Sequence, residues 1–132
     1  MLFVGILSAA GCTRTEDYVA VAREQQEAMR EVSQILSRVH SEKDLAAAKA
    51  DLDERRERFE AIPKKANALP KPPPADAVAR LEQERFFFQR TLEEMTAEIQ
   101  RVKALPGGEE FFKQYEGLAP FGSAASVFRS SP

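Results

Sequence analysis

Side chains able to do covalent or acid–base chemistry are few and scattered in this chain. Cys12 is the only cysteine and His40 the only histidine, so neither has the second soft or imidazole ligand that a zinc site needs at short spacing. A lone cysteine also closes no internal disulfide. His40 reads as a polar cap or loop residue at a helix junction. No Glu-x-x-His of the di-iron bundle kind occurs, nor a G-x-S-x-G elbow, a phosphate-cradling glycine loop or a His-Glu-x-x-His. Asp plus Glu number 21 and Lys plus Arg 19, a net charge of −2. That balance supplies no field for a polyanion, so nucleic acid is not an expected partner. The mixed run Asp51–Arg58 reads as a solvated helix face with i,i+4 pairs. The expectation is a chain that is not an enzyme and carries neither metal nor cofactor.

The setting of Cys12 suggests another chemistry for it. Met1–Leu7 is uncharged and apolar, and only 11 residues precede the cysteine. A spanning helix needs roughly 20 apolar residues, so this is the short core of an export signal and not a transmembrane segment. The stretch Leu7-Ser8-Ala9-Ala10-Gly11-Cys12 puts small residues where a peptidase must hold extended backbone, and it resembles the lipobox of bacterial lipoproteins. That resemblance implies a signal peptide over 1–11, a cut before Cys12, and acylation of the Cys12 thiol, leaving residues 12–16 as lipid anchor and short tether. More than one acyl chain makes anchoring stable, at about 0.8 kcal/mol per buried methylene. It also implies a place in the bacterial cell envelope, on the periplasmic face. Thr13 follows the cysteine, where Asp is the familiar inner-membrane retention signal, and leans toward the outer membrane.

Beyond the anchor, sparse glycine and abundant Ala, Glu, Arg and Leu favour helix. Thr13-x-x-Glu16 has capping-box form. Tyr18, Ala22, Gln25, Met29, Val32, Leu36 and Val39 then recur four and three apart, predicting one buried seam on a helix over 17–40. Ser41 and Asp44 cap a second helix, 42–68, with its seam at Leu45, Ala48, Leu52, Arg55, Phe59 and Ile62. The register persists through Ala66 to Leu69, so that helix is expected to pass Pro63, with a kink. Prolines 70–74 make a stiff connection. A third helix over 74–105 carries Val78, Leu81, Arg85, Phe88, Leu92, Met95, Ile99 and Val102. Matched lengths, short connections and one seam each predict an all-α fold: an up-down-up, antiparallel, coiled-coil-like three-helix bundle over 17–105. A short C-terminal helix within 106–119 and a mobile Ser/Ala/Gly-rich tail over 120–132 complete it.

Phe86-Phe87-Phe88 is the one aromatic triplet. At 100° per residue, Phe88 enters the seam while Phe86 lies about 160° away. Either Phe111, Phe112 and Tyr115, or the tail beyond them, fold back to cover Phe86, or Phe86 with those three forms a surface for an envelope protein or a second copy. Arg14, Lys64, Lys65 and Lys71 fall at the anchored end and are expected to meet anionic headgroups. The functional expectation is a lipid-anchored envelope bundle with a structural or protein-interaction role. The alternative is a module that binds a small apolar ligand or lipid in a cavity near Phe87, Phe88 and Met95.

Overall fold

The seven seam positions expected on the first helix, Tyr18 through Val39, are all buried. All but Val39, just past its end, belong to α1 (Ala9–Ser37), the first of the helices in a computed structural model that describes residues 9–121 and, for side chains, 15–121. A single 3-10 turn (Glu42–Asp44) follows, then α2 (Leu45–Ala68), α3 (Ala75–Lys103) and α4 (Gly108–Lys113). No strand occurs among the described residues, so the chain is all-helical there.

The boundaries differ from expectation in informative ways. α1 begins at Ala9, so residues 12–16, read as a tether, are helical in their backbone, and the Thr13–Glu16 box lies inside the helix instead of starting it. Its end comes at Ser37, not 40. There Arg101 of α3 donates to the carbonyls of Leu36 and Val39, at 2.7 Å each. The Leu36 carbonyl also accepts from the Val39 N–H at 2.9 Å, so Arg101 adds a second donor there and one to the carbonyl just past the helix end, where a cation also suits the helix dipole. The Ser41–Asp44 cap is present: the Asp44 carboxylate accepts from the backbone N–H of His40 at 2.8 Å and of Ser41 at 3.1 Å. α2 continues past Pro63 to Ala68, as the unbroken register predicts.

Packing is centred on α1, which lies against both α3 and α2, while α2 and α3 touch each other only marginally. A helix with two separate neighbours must bury a wider stripe, and α1 does so by adding Val21, Ala28 and Ile35, spaced seven apart, to the expected seam. On α3 the buried line is Ala77, Leu81, Phe88, Thr91, Met95 and Val102. Val78 and Arg85, expected in that seam, are exposed, because the small Ala77 faces α1 in place of Val78. Near the start of α1 a second cluster joins Tyr18, Ala22, Ala77 and Leu81, with Leu69 against it. The Tyr18 hydroxyl donates to the Pro70 carbonyl, tying the proline connection down.

Ion pairs record how the helices are aligned. Between α1 and α2, Glu31 pairs with Arg58, and Glu24 with Lys65 at 3.0 Å. Between α1 and α3, Glu16 pairs with Arg80 and Arg23 with Glu84, both at 2.8 Å, and Gln26 meets Thr91 at 3.3 Å. These pairs are partly exposed and fix alignment more than stability.

α4 closes the end of the molecule where α2 and α3 leave a gap, packing on both. Gly107 turns the chain with φ of 78°, a left-handed value that disfavours a side chain. At Gly108 an added Cβ would stand 2.0 Å from the Val102 carbonyl oxygen. Pro120 is buried and Phe121 stacks on Tyr115 at 5.5 Å, so the chain stays packed through positions expected to begin the tail. Residues 122–132, the remainder of that expected tail, lie outside the described residues.

Candidate interaction surface

The Phe triplet divides as helical geometry requires. Phe88 is buried in the main core, whereas Phe86 is 71% and Phe87 59% exposed. The two exposed rings meet edge to face with centroids 5.8 Å apart, an arrangement aromatic quadrupoles favour. They are the largest side chains left open among the described residues, with Val78 the remaining exposed large apolar one.

The rings on the C-terminal segment do not join them. Phe111, Phe112 and Tyr115, expected beside Phe86 either as its cover or as part of one surface with it, are core residues. Phe111 and Phe112 meet at 5.1 Å and Phe111 and Tyr115 at 5.4 Å. The Tyr115 hydroxyl donates to Asp53 Oδ1 at 3.1 Å, and the Arg56 guanidinium lies over its ring at 5.4 Å. Burial, then the bonded Asp53 carboxylate, pushes the Tyr115 phenol above its ordinary range. These rings are held away from Phe86 because the C-terminal segment packs on α2 and α3 together, Tyr115 against Asp53 and Arg56 and Phe112 beneath Lys103.

Phe87 borders an open groove of about 650 Å³ between α1 and α3, with Arg23, Gln26, Glu27, Arg30 and Glu84 on its walls. Arg23 is held protonated above its ordinary range by its hydrogen bond to Glu84. Such a groove is polar, with both signs present and no nucleophile. Met95 and Phe88 are packed in the core, so of Phe87, Phe88 and Met95, the residues expected to line a cavity, Phe87 alone borders this groove.

The face of α3 opposite the core carries Glu82, Phe86 and Arg90, four residues apart. Glu82 lies 3.6 Å from Arg85, and Arg90 3.4 Å from Glu94, in exposed pairs within the helix. The charged run of α2 is partly a cross-helix device: Arg58 and Arg55 both reach Glu31 of α1, the latter at 3.9 Å. No group of His, Cys, Asp and Glu among the described residues is arranged to hold a metal ion. His40 is exposed at the corner between α1 and α2.

Of the anchor residues, Cys12 lies within the backbone of α1, while Leu7 and Ser8 fall outside the described residues. No described helix is long and apolar enough to cross a membrane. Lys64, Lys65 and Lys71 are exposed, and Lys65 is engaged with Glu24. The side chains of Cys12 and Arg14 are not among those described. Comparison with protein-family models gives no match, and no curated protein or solved structure shows significant similarity to the chain.

Proposed function

We propose that this chain is a lipid-anchored helical module of a bacterial cell envelope that works through protein contact, with Cys12 as the acylated residue and the outer face of α3 as the contact surface. The observation that carries the contact role is the exposure of Phe86 and Phe87 together, in a chain that buries its other described aromatic side chains or packs them against the core. Exposed aromatics are frequent anchors of protein interfaces. The anchor half is supported by the stretch Leu7–Cys12. A cut before Cys12 removes Ala9–Gly11 from α1 and leaves the acylated cysteine as its first residue.

The reading includes the up-down-up order of α1, α2 and α3, which the opposed and matching sequences of ion pairs support. In that order the start of α1, the end of α2 and the start of α3 share one end, joined by Tyr18 to Pro70 and Glu16 to Arg80. Lys64 and Lys71 belong to that end and, with Arg14 and Lys65, are proposed to face anionic headgroups, each adding at most about 1 kcal/mol near the surface.

Intact-mass analysis of the chain after growth with labelled fatty acid tests the anchor. The native chain is expected to start at Cys12 and carry label, and Cys12→Ala to carry none. Equal labelling of both, or an unlabelled native chain, sinks the placement.

A further inference from the structure

We infer that the outer face of α3 is a pairing surface for a second copy of this chain, two α3 helices crossing antiparallel about a two-fold axis at Phe86. The inference rests on the protein-contact reading above and names the partner for it.

Glu82, Phe86 and Arg90 stand one helical turn apart and form a single i,i+4 ridge. It points away from the core: Phe86 is five half-turns from Ala77 and Met95, both buried, which puts it about 180° around the helix. The two charged side chains are 56% and 69% exposed and hold only solvent-screened partners on their own helix.

The order acid, aromatic, base is complementary to its own reverse. When two i,i+4 ridges lie alongside each other, the helices cross at about 50°, the commonest packing class. With the two-fold at Phe86, each Glu82 then meets the other copy's Arg90, and the two Phe86 rings meet at the centre. A parallel pairing instead sets Glu82 against Glu82 and Arg90 against Arg90. Charge thus selects the antiparallel mode and makes the contact isologous, as a closed dimer requires.

One crossing ridge buries much less than the roughly 800 Å² per partner of a stable interface. Pairing is therefore weak between free chains and takes effect when a shared surface raises the local concentration. The two-fold axis normal to that surface lets both chains lie along it with their anchors at the same height.

The test uses the full chain coupled through Cys12 to maleimide-lipid vesicles, with Phe86 replaced by photoreactive benzoylphenylalanine. Illumination is expected to give an adduct of twice the chain mass. Glu82→Arg or Arg90→Glu alone replaces two attractive contacts with two repulsive ones and lowers the adduct yield about tenfold, whereas the double reversal in one chain restores it to within about threefold. All these positions are exposed, so equal helical circular dichroism is expected throughout. Absence of the double-mass adduct, or a double reversal as poor as the singles, overturns the inference. The same photoreactive chain, illuminated in cells that express it, separates the two levels. An adduct of another mass overturns self-pairing but keeps the contact role; no adduct in either setting overturns both.

Discussion

Replacing Tyr115 by Ala and, separately, Phe86 by Ala sets apart two groups of aromatic residues that look alike in composition and differ wholly in placement. Tyr115 is fully buried, with Phe111 at 5.4 Å, Phe121 at 5.5 Å, the Arg56 guanidinium at 5.4 Å and a hydroxyl bonded to Asp53 at 3.1 Å. Each aromatic pair contributes about 0.5–1.5 kcal/mol beyond burial and the hydroxyl about 1 kcal/mol, so with the cavity left behind Tyr115→Ala costs about 3–5 kcal/mol. Against a total stability of roughly 5–15 kcal/mol, that lowers Tm by about 10–20 °C. Phe86, 71% exposed, has little burial to lose, and Phe86→Ala stays within about 0.5 kcal/mol. Tyr115→Phe is the control: it removes one hydroxyl, and since water reaches the Asp53 carboxylate the cost is about 1 kcal/mol or less. Urea unfolding followed by circular dichroism measures all three, with hydrogen exchange on α4 reporting whether that segment opens alone. A Tyr115→Ala cost below about 1 kcal/mol, or equal costs for the Ala substitutions at 115 and 86, refutes the assignment of Tyr115 to the core.

Arg101→Met strips donors from the Leu36 and Val39 carbonyls and is expected to lower stability by about 1–2 kcal/mol in urea titration, with Arg101→Lys recovering part of it. Gly108→Ala drives a Cβ into the Val102 carbonyl oxygen; a loss of at least about 3 kcal/mol, with α4 protection gone in hydrogen exchange, is expected. The Asp44 carboxyl is held below its ordinary value chiefly by the His40 backbone N–H, then by that of Ser41. A depressed folded value means the stabilisation is full above the unfolded pKa of about 4 and disappears as pH falls through the folded one. Asp44→Asn therefore narrows the acid-induced loss of stability in that window, measured as Tm against pH; an unchanged acid limb would falsify the role given to the cap.

Periodicity made the helices legible because most seam residues sit where the period puts them: all seven positions from Tyr18 to Val39 are buried, and on α2 Ile62 before Pro63 and Ala66 beyond it pack on the same core. The same signal understated α1. A search for one seam passes over Val21, Ala28 and Ile35, whose own spacing of seven marks a second contact. Val78 misled because size suggests burial, whereas close approach to α1 selects Ala77. Arg101 left no trace, since a charged residue that reaches back 62 positions to cap another helix has no local pattern. Exposure of Phe86 was readable from its angle on the helix, but what lies over it depended on tertiary placement of α4, which no spacing encodes.

The reliance of the molecule on α1 has a consequence for the order in which it forms. Its links to α2 span 24 to 41 positions of chain, but those to α3 span 61 to 65. Loop closure and contact order favour the packing of α1 on α2 first and α3 docking last. Until α3 arrives, the side of α1 bearing Tyr18 and Ala22 lacks its Ala77 and Leu81 cover. A chain emerging N-terminus first thus holds an uncovered apolar stripe until α3 is complete, after more than three quarters of it has been delivered, and that interval is when it is most open to aggregation or to capture by a chaperone.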